Sequence, residues 1–432
     1  MFKTLKTAFG LPDLRKKILY TLFILFLFRL GSQIFVPYVD SSKMNMLFEA
    51  NAGGTILGYM NMLSGQAFSQ ATLFALSVSP YITASIVIQL LTIAIPALER
   101  LSKQGQEGQK KLTTITRVVT VVLGLVTAFG YYMYMRNYGI LMDGCYDWFH
   151  AVVIIACYSA GAALIMWLAE KINENGIGNG ISLILFVNII SQGPSIVNNF
   201  VGMITSGAKN AIIAIVALIV GIAMIVFIVF MTNSERKIPV QYAKRVVGRK
   251  MYGGQNTTLP IKLSMAGVLP IIFAQSIVSL PSTIALFFPN PAEGTFAYGF
   301  LKFFGTDSWF YAILYFILII AFSYFYIAIS FNPIEVANNL QNNGGGIPGI
   351  RQGRPTAEYI TKILNRITLI GAIFLGIIAV FPLIAVIISG NQSLAGLAFG
   401  GSSIIIVVGV VLETIREIEA QMTMRHYKGF LE

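Results

Sequence analysis

GYMNMLSGQAFSQATLFALSVSPYITASIVIQLLTIAI, residues Gly58 to Ile95, is the stretch whose reading decides the fold. It is too long for one membrane crossing and badly built for one continuous helix. About 20 apolar residues cross a bilayer, and only the part from Leu73 to Ile95, interrupted by Pro80, has that character. The small and polar piece before it has room for a half-helix of about three turns. Interrupted backbone at membrane depth must be buried in protein or line a water-filled cavity, because an unsatisfied amide in hydrocarbon costs several kcal/mol. Two readings follow: a re-entrant half-helix leading into a cavity wall, or an outer loop followed by one ordinary span.

Composition carries the same message to the whole chain. Its 432 residues are 56% hydrophobic and 11% charged, with a mean hydropathy of +0.74, far more apolar than a soluble chain of this length. Apolar runs of span length fall at Ile18 to Phe35, Leu73 to Ile95, Leu112 to Met135, Trp148 to Leu168, Ile181 to Val201, Ile212 to Met231, Leu263 to Phe288, Trp309 to Ile329, Ile367 to Ile388 and Leu394 to Leu412. The expected fold is therefore an all-α polytopic membrane protein with ten transmembrane helices. The first run follows Arg15-Lys16-Lys17 as a signal peptide would, but no small-residue cleavage site comes after it, so it is read as the first span.

Orientation follows from the thirty Lys and Arg. Most fall before the first span, around Arg100 to Arg117, at Lys171, in Arg236 to Lys262, in Arg351 to Arg366 and in the tail, while Lys43, Arg136, Lys209 and Lys302 stand alone on the other side. The positive-inside rule makes the first group, and with it both termini, cytoplasmic. Arg29 lies inside the first span and is expected to snorkel or to find a carbonyl. Cys145 and Cys157 form no metal or disulfide pattern and are read as small apolar fillers.

Ten spans divide into five and five, and an odd number per half makes any duplicated half inverted. Val78-Ser-Pro-Tyr-Ile82 in the second span echoes Val268-Leu-Pro-Ile-Ile272 in the seventh, and Gly180-Ile-Ser-Leu-Ile-Leu185 in the fifth echoes Gly401-Ser-Ser-Ile-Ile-Ile406 in the tenth. These pairs are equivalent under the repeat, with halves at 1–201 and 202–432. The chemistry that is missing narrows function further. No Asp, Glu or His falls mid-span: Glu170, Glu335 and Glu413 sit at cytoplasmic helix ends, and His150 and His426 at an outer end and in the tail. An ion-coupled carrier or an intramembrane protease needs such groups. Gly344 to Gly349 lacks the Lys-Ser/Thr of a phosphate cradle and is read as a flexible loop. No catalytic residue, metal ligand or cofactor site is expected, and energy must come from a partner. Two long cytoplasmic loops, 232–262 and 330–361, carry Lys244, Arg245, Arg249, Lys250, Arg351 and Arg354 and are the expected docking points for a phosphate-rich or acidic partner.

Several motifs then resemble one family. They are Ala75-Leu-Ser-Val-Ser-Pro-Tyr-Ile-Thr-Ala-Ser-Ile-Val-Ile-Gln-Leu-Leu, Gly176-Ile-Gly-Asn-Gly-Ile-Ser, Tyr242-Ala-Lys-Arg, Leu259-Pro-Ile-Lys-Leu-Ser-Met-Ala-Gly-Val-Leu-Pro-Ile-Ile-Phe-Ala, Phe331-Asn-Pro and Ile347-Pro-Gly-Ile-Arg-Gln-Gly-Arg-Pro-Thr. In this order, from the basic amino terminus to the tail, they resemble the SecY family of channel subunits of protein translocases. Phe35 and Gln352 stand where the family often has Pro, both at peripheral positions. The resemblance implies an hourglass pore between two hinged halves, which passes unfolded secretory chains and releases apolar segments sideways into lipid. By the matched motifs its waist falls on Val78, Ile82, Leu185, Ile189, Ile272 and Ile406. A plug at about 57–68 would include Gly58, Met60, Met62, Leu63, Gly65 and Phe68, and a lateral gate of helices two and three against seven and eight would include Thr83 and Gln275. The resemblance further implies SecE-like and SecG-like small membrane subunits, a SecA-type translocation ATPase, the ribosome, signal-sequence-bearing polypeptides and membrane lipid as partners, in a bacterial plasma membrane. A small-solute transporter built on inverted repeats explains Pro80 and the echoes, but not the long basic loops or the lack of mid-span charge.

Overall fold

The computed structural model describes residues 7–51, 56–144, 147–205, 207–242, 245–247, 250–252, 256–265, 267–285, 299, 303–305, 308–389 and 400–428. Chain order runs α1 (Pro12–Gly31), α2 (Ser41–Asn51), α3 (Ile56–Leu63), α4 (Ser79–Ala94), α5 (Pro96–Lys103), α6 (Gln106–Asn137), α7 (Trp148–Asn175), α8 (Gly180–Ser191), α9 (Gly193–Thr205) and α10 (Ala208–Asn233). Then come β1 (Glu235–Tyr242), β2 (Arg245–Val247), β3 (Lys250–Tyr252), β4 (Asn256–Lys262), α11 (Leu269–Val278), α12 (Leu280–Ala285), α13 (Trp309–Ser330), α14 (Pro333–Asn342), β5 (Gly345–Gly346), α15 (Arg354–Ser389) and α16 (Gly400–Lys428). Proline opens many of these helices, at Pro12, Pro80, Pro96, Pro270 and Pro333. A missing N–H costs nothing in the first turn, where that donor has no intrahelical partner. Asn179 caps α8 by accepting from the backbone N–H groups of Ile181 and Ser182.

Among the described residues, six helical runs are long and apolar enough to cross a membrane: Gln106–Asn137, Trp148–Asn175, Gly180–Thr205, Ala211–Asn233, Trp309–Asn342 and Arg354–Ile388. A seventh is added if Ser79–Ala94 and Pro96–Lys103 count as one span, although they meet at 101°. The remaining expected spans are shorter or more charged than the apolar runs promised. Helix α1 carries Asp13, Arg15, Lys16, Lys17 and Arg29 within 20 residues. Helix α4 begins only at Ser79, six residues after the expected start, and the seventh run breaks at Ser279. Residues 390–399, which include the start of the tenth, lie outside the described residues.

Packing links α6 to α4 and α7, α1 to α7 and α8, α13 to α11 and α15, and α16 to α10 and α15. The first and second sets meet along α4 against α11, α6 against α12, and α8 against α16. One large apolar cluster runs through both sets, from Phe28 and Phe74 through Ile184 and Ile271 to Ile378 and Val410. A second lies around Phe68, Tyr131 and Tyr158, and a third, built on Ile238, Ile261, Ile347 and Ile360, sits beneath a small sheet.

That sheet corrects the all-α expectation. The 232–262 loop is an antiparallel pair, β1 against β4, with Glu235 opposite Lys262 and Gln241 opposite Asn256, and β5 adds to the other edge through Gln241 and Tyr242. Ile238, in the third cluster, and Val240 are buried while their neighbours in β1 are exposed, the period-2 alternation of a half-buried strand. Gly344 to Gly349 is correspondingly not a flexible loop. Gly345 is buried on β1 and its carbonyl accepts from Gln352 Nε2 at 3.1 Å. A side chain at Gly345 would strike the Tyr242 ring, so only glycine allows the strands to close.

Candidate functional site

The six aliphatic residues assigned to a waist come from four helices: Val78 and Ile82 at the start of α4, Leu185 and Ile189 on α8, Ile272 on α11 and Ile406 on α16. All six are buried and belong to one apolar cluster. Position explains much of this. Val78 and Ile82 are four residues apart, as are Leu185 and Ile189, so each pair lies on one helix face. Ile82 and Ile272 each stand two residues after the proline that opens their helix.

Against this cluster pack Met62 and Leu63, the last two residues of the half-helix α3. The half-helix is shorter than expected, covering Ile56–Leu63, or about two turns instead of three. It ends in a Schellman turn: Gln66 N–H donates to Asn61 O at 3.0 Å, Gly65 N–H donates to Met62 O at 3.1 Å, and Gly65 takes φ +65°. Gly58 is half-buried. Met60 and Phe68 face away from the six aliphatics and belong to the second cluster, where Phe68 lies 4.4 Å from the Tyr131 ring.

Residues 64–78 are an irregular connector in which Gln66, Ala71 and Ser77 all adopt positive φ. Such backbone persists only where its surroundings over-determine it. Here Tyr131 Oη donates to Phe68 O at 2.6 Å and Tyr158 Oη to Ala71 O at 3.2 Å. Gly161 lets the Leu73 carbonyl lie directly against α7. The connector is therefore anchored to α6 and α7, while the half-helix projects from it.

Thr83 bonds to its own helix, donating to Ser79 O at 3.0 Å, and lines a cavity of about 70 Å³ with Met60, Leu63, Ser79, Thr127 and Ser276 from α3, α4, α6 and α11. Gln275 points elsewhere in the same region, donating to Tyr311 Oη on α13 at 2.9 Å while its Oε1 stays buried without a partner. A larger cavity of about 520 Å³ opens between α4, α5, α6 and α13, with Tyr81, Gln89, Thr92, Gln109 and Tyr326 on its wall. A third, about 430 Å³, lies among α10, β4, the turn before α11, α15 and α16, where burial and then the neighbouring Arg416 lower the Lys262 ammonium pKa.

Of the basic loop residues, Lys244 and Arg249 lie outside the described residues, and Arg245 and Lys250 stand on the short β2–β3 hairpin. Arg351 and Arg354 are exposed, and Arg354 Nε pairs with Glu358 Oε1 at 3.3 Å. Cys157 is free and half-buried; Cys145 lies outside the described residues.

Some participants escaped sequence reading. Asn188 and Gln192 on one face of α8 donate to the last carbonyls of the half-helix, and Arg29 finds the Gly65 carbonyl at 3.4 Å. Two polar residues spaced i, i+4 in an otherwise apolar run were the available signal. Glu170, read as a helix-end charge, is buried and bidentate with Arg117, at 2.8 Å and 3.0 Å.

A family model of SecY matches residues 72–415. The chain is similar to the protein translocase subunit SecY of Streptomyces coelicolor, 43% identical over 445 residues with 100% of both chains covered, and to that of Mycobacterium tuberculosis, 42% identical over 439 residues with 97% of each covered. Among solved structures it matches a SecY channel whose plug domain is described as stabilising the closed state and maintaining a membrane seal, with TM-score 0.67, 20% identity, and 94% of this chain and 92% of that one covered. It also matches the channel of the canine ribosome-channel complex from the endoplasmic reticulum, with TM-score 0.60, 17% identity and the same coverage of 94% and 92%. Identities this low speak for the fold, a helical polytopic membrane fold. Relatives alike from end to end speak for more: this multi-pass membrane protein belongs to the SecY family, the translocase's channel subunits, which are not enzymes.

Proposed function

We propose that this chain is a protein-conducting channel which passes unfolded secretory polypeptides across a bacterial plasma membrane and releases transmembrane segments sideways into lipid. The observation that carries the reading is the gathering of Val78, Ile82, Leu185, Ile189, Ile272 and Ile406, from four separate helices, into one apolar cluster with Met62 and Leu63 of a half-helix packed on it. A narrow collar of branched apolar groups excludes water and ions by dewetting and yields to a passing chain without binding it. Ten transmembrane helices in two inverted halves, 1–201 and 202–432, put these four helices at the midplane, and α3 is the plug. Apolar segments leave between α4 and α6 on one side and α11 and α13 on the other, past Thr83 and Gln275. SecE-like and SecG-like subunits clasp the outside; the SecA-type ATPase and the ribosome dock on the basic loops, with both termini cytoplasmic. The structural relatives that are ribosome-bound channels support the ribosome as a partner.

The test is to stall a secretory precursor in the reconstituted channel and place a photo-crosslinker at positions 82, 185, 272 and 406. Crosslinks from all four to one short stretch of the precursor are expected. Absence of crosslinks from these positions to a precursor that is stalled in the channel would overturn the reading.

A further inference from the structure

The half-helix α3 is held at one end by side chains that have no other work. Its Schellman turn satisfies Asn61 O and Met62 O once each, and carbonyl oxygens accept twice. The second acceptance at Met62 O comes from Gln192 Nε2 at 3.0 Å, which also reaches Asn61 O at 3.3 Å beside the Ser64 Oγ that bonds it at 3.0 Å, and Asn188 Nδ2 donates to Leu63 O at 2.7 Å. Ser77 Oγ also donates to Leu63 O, at 3.0 Å, and Asn188 Nδ2 lies 3.4 Å from that hydroxyl. Donors at a helix C-terminus face the negative end of its dipole, so the placement is electrostatically favourable.

Asn188 is the telling residue. It is 0% exposed, and its Oδ1 has no hydrogen-bond partner. An amide buried with half its capacity unused is expensive and is kept only where the other half is needed. The used half reaches α3. Asn188 also adjoins Ile189 and stands three residues from Leu185, so the helix carrying two of the six clustered aliphatics also carries the donors. The Gly65 position closes the arrangement: a Cβ there would lie 2.8 Å from Asn188 Oδ1 and 2.9 Å from Ser191 Oγ, so glycine is required for α3 to come this close to α8.

We propose that Asn188 and Gln192 form a latch: by bonding the last three carbonyls of α3 they hold the half-helix against the apolar cluster and set how readily the channel unplugs. This rests on the plug reading above. The two amides lose these partners when α3 leaves, so they stabilise the shut state selectively, and only such a differential interaction shifts a two-state equilibrium. The rest of the connector, held by Tyr131 and Tyr158, stays in place.

The test uses the full chain with its membrane partners in vesicles. Asn188→Leu and Gln192→Met keep volume and remove the donors. Losing these three hydrogen bonds should raise resting ion conductance about tenfold in the double variant, with a matching rise in the rate at which Gly58→Cys is modified by an impermeant maleimide. The same pair is then made in a channel whose residues 57–63 are replaced by a Gly-Ser linker of equal length, a replacement that stops before the anchored Phe68. That channel should leak, and the pair should add nothing to the leak. A leaky linker channel together with a tight double variant overturns the latch alone, as does an equal rise in both backgrounds. A linker channel that stays sealed overturns the plug reading and the latch with it. Should Asn188→Leu reduce the amount of folded protein, Gln192→Met at its half-exposed position carries the same comparison.

Discussion

Ile82 and Ile272 show what a single side chain contributes. Each is buried, each stands two residues after a helix-opening proline, and the two occupy opposite sets of helices. As ordinary packing aliphatics, replacement by Asn would bury an unpaired amide at a cost of about 1–3 kcal/mol and reduce the amount of folded protein. As members of a dry collar, the same change would wet the constriction. The collar reading predicts normal expression of Ile82→Asn with Ile272→Asn, raised ion conductance in vesicles, and a relaxed demand for a good signal sequence. Poor expression with no conductance in the surviving protein would falsify it. These positions could be named from sequence because they end short internal echoes and fall in dense motifs. Asn188 and Gln192 showed only their i, i+4 spacing: each does its work on a segment more than 120 residues away, and nothing local marks the partner.

At the scale of elements, apolar length reported the long helices well and the interrupted ones poorly. Hydropathy counts the residues from Leu73 to Val78 as span, but they are the end of an irregular connector, with Ser77 at positive φ and tyrosine hydroxyls bonding the Phe68 and Ala71 carbonyls just upstream, and α4 starts only at Ser79. The sheet was hidden for a different reason. Pro239 and Pro260 argue against strands, yet both sit within the β1–β4 ladder, Pro260 opposite Lys237 and Pro239 opposite Thr258. The third strand, Gly345–Gly346, comes from another loop altogether. Pairing changes what Arg351 can do. With Gly345 locked on β1 and Thr356 Oγ1 donating to Arg351 O at 2.8 Å, its backbone is fixed while its side chain stays exposed. A guanidinium presented from a rigid base suits bidentate pairing with a carboxylate or phosphate at little entropic cost. Arg351→Glu should therefore weaken binding of the translocation ATPase by about tenfold, ~1.4 kcal/mol, in a titration with vesicles carrying the channel. Unchanged affinity here, combined with loss on Lys244→Glu, would move the contact to the β2–β3 hairpin loop.

The whole molecule is two sets of helices that touch along few seams, and the nature of those seams decides what can move. Along α8 and α16 the contact is continuous with the large apolar cluster, whereas along α4, α6, α11 and α12 it is interrupted by a cavity lined with Ser79, Thr83, Thr127, Ser276 and Ser279. Hydroxyls bonded to their own helices, as Thr83 is to Ser79 and Ser276 to Ile272, contribute nothing across the gap. In a membrane there is no hydrophobic drive to press two apolar helices together, so close packing and cross-helix hydrogen bonds must hold a seam. This one has neither in full. On the proposed channel reading this is the seam that would separate at least cost, and its opening would give a path from the clustered aliphatics to lipid. Tying it shut tests the lateral exit of the proposed function without disturbing the fold. With Thr83→Cys and Ser276→Cys joined by a short bifunctional thiol reagent, insertion of transmembrane segments should stop, and cleavage of a reducible reagent should restore it. A channel so crosslinked that still delivers apolar segments into lipid at the normal rate would show that they leave by another route, and the seam between α8 and α16 would be the next to tie.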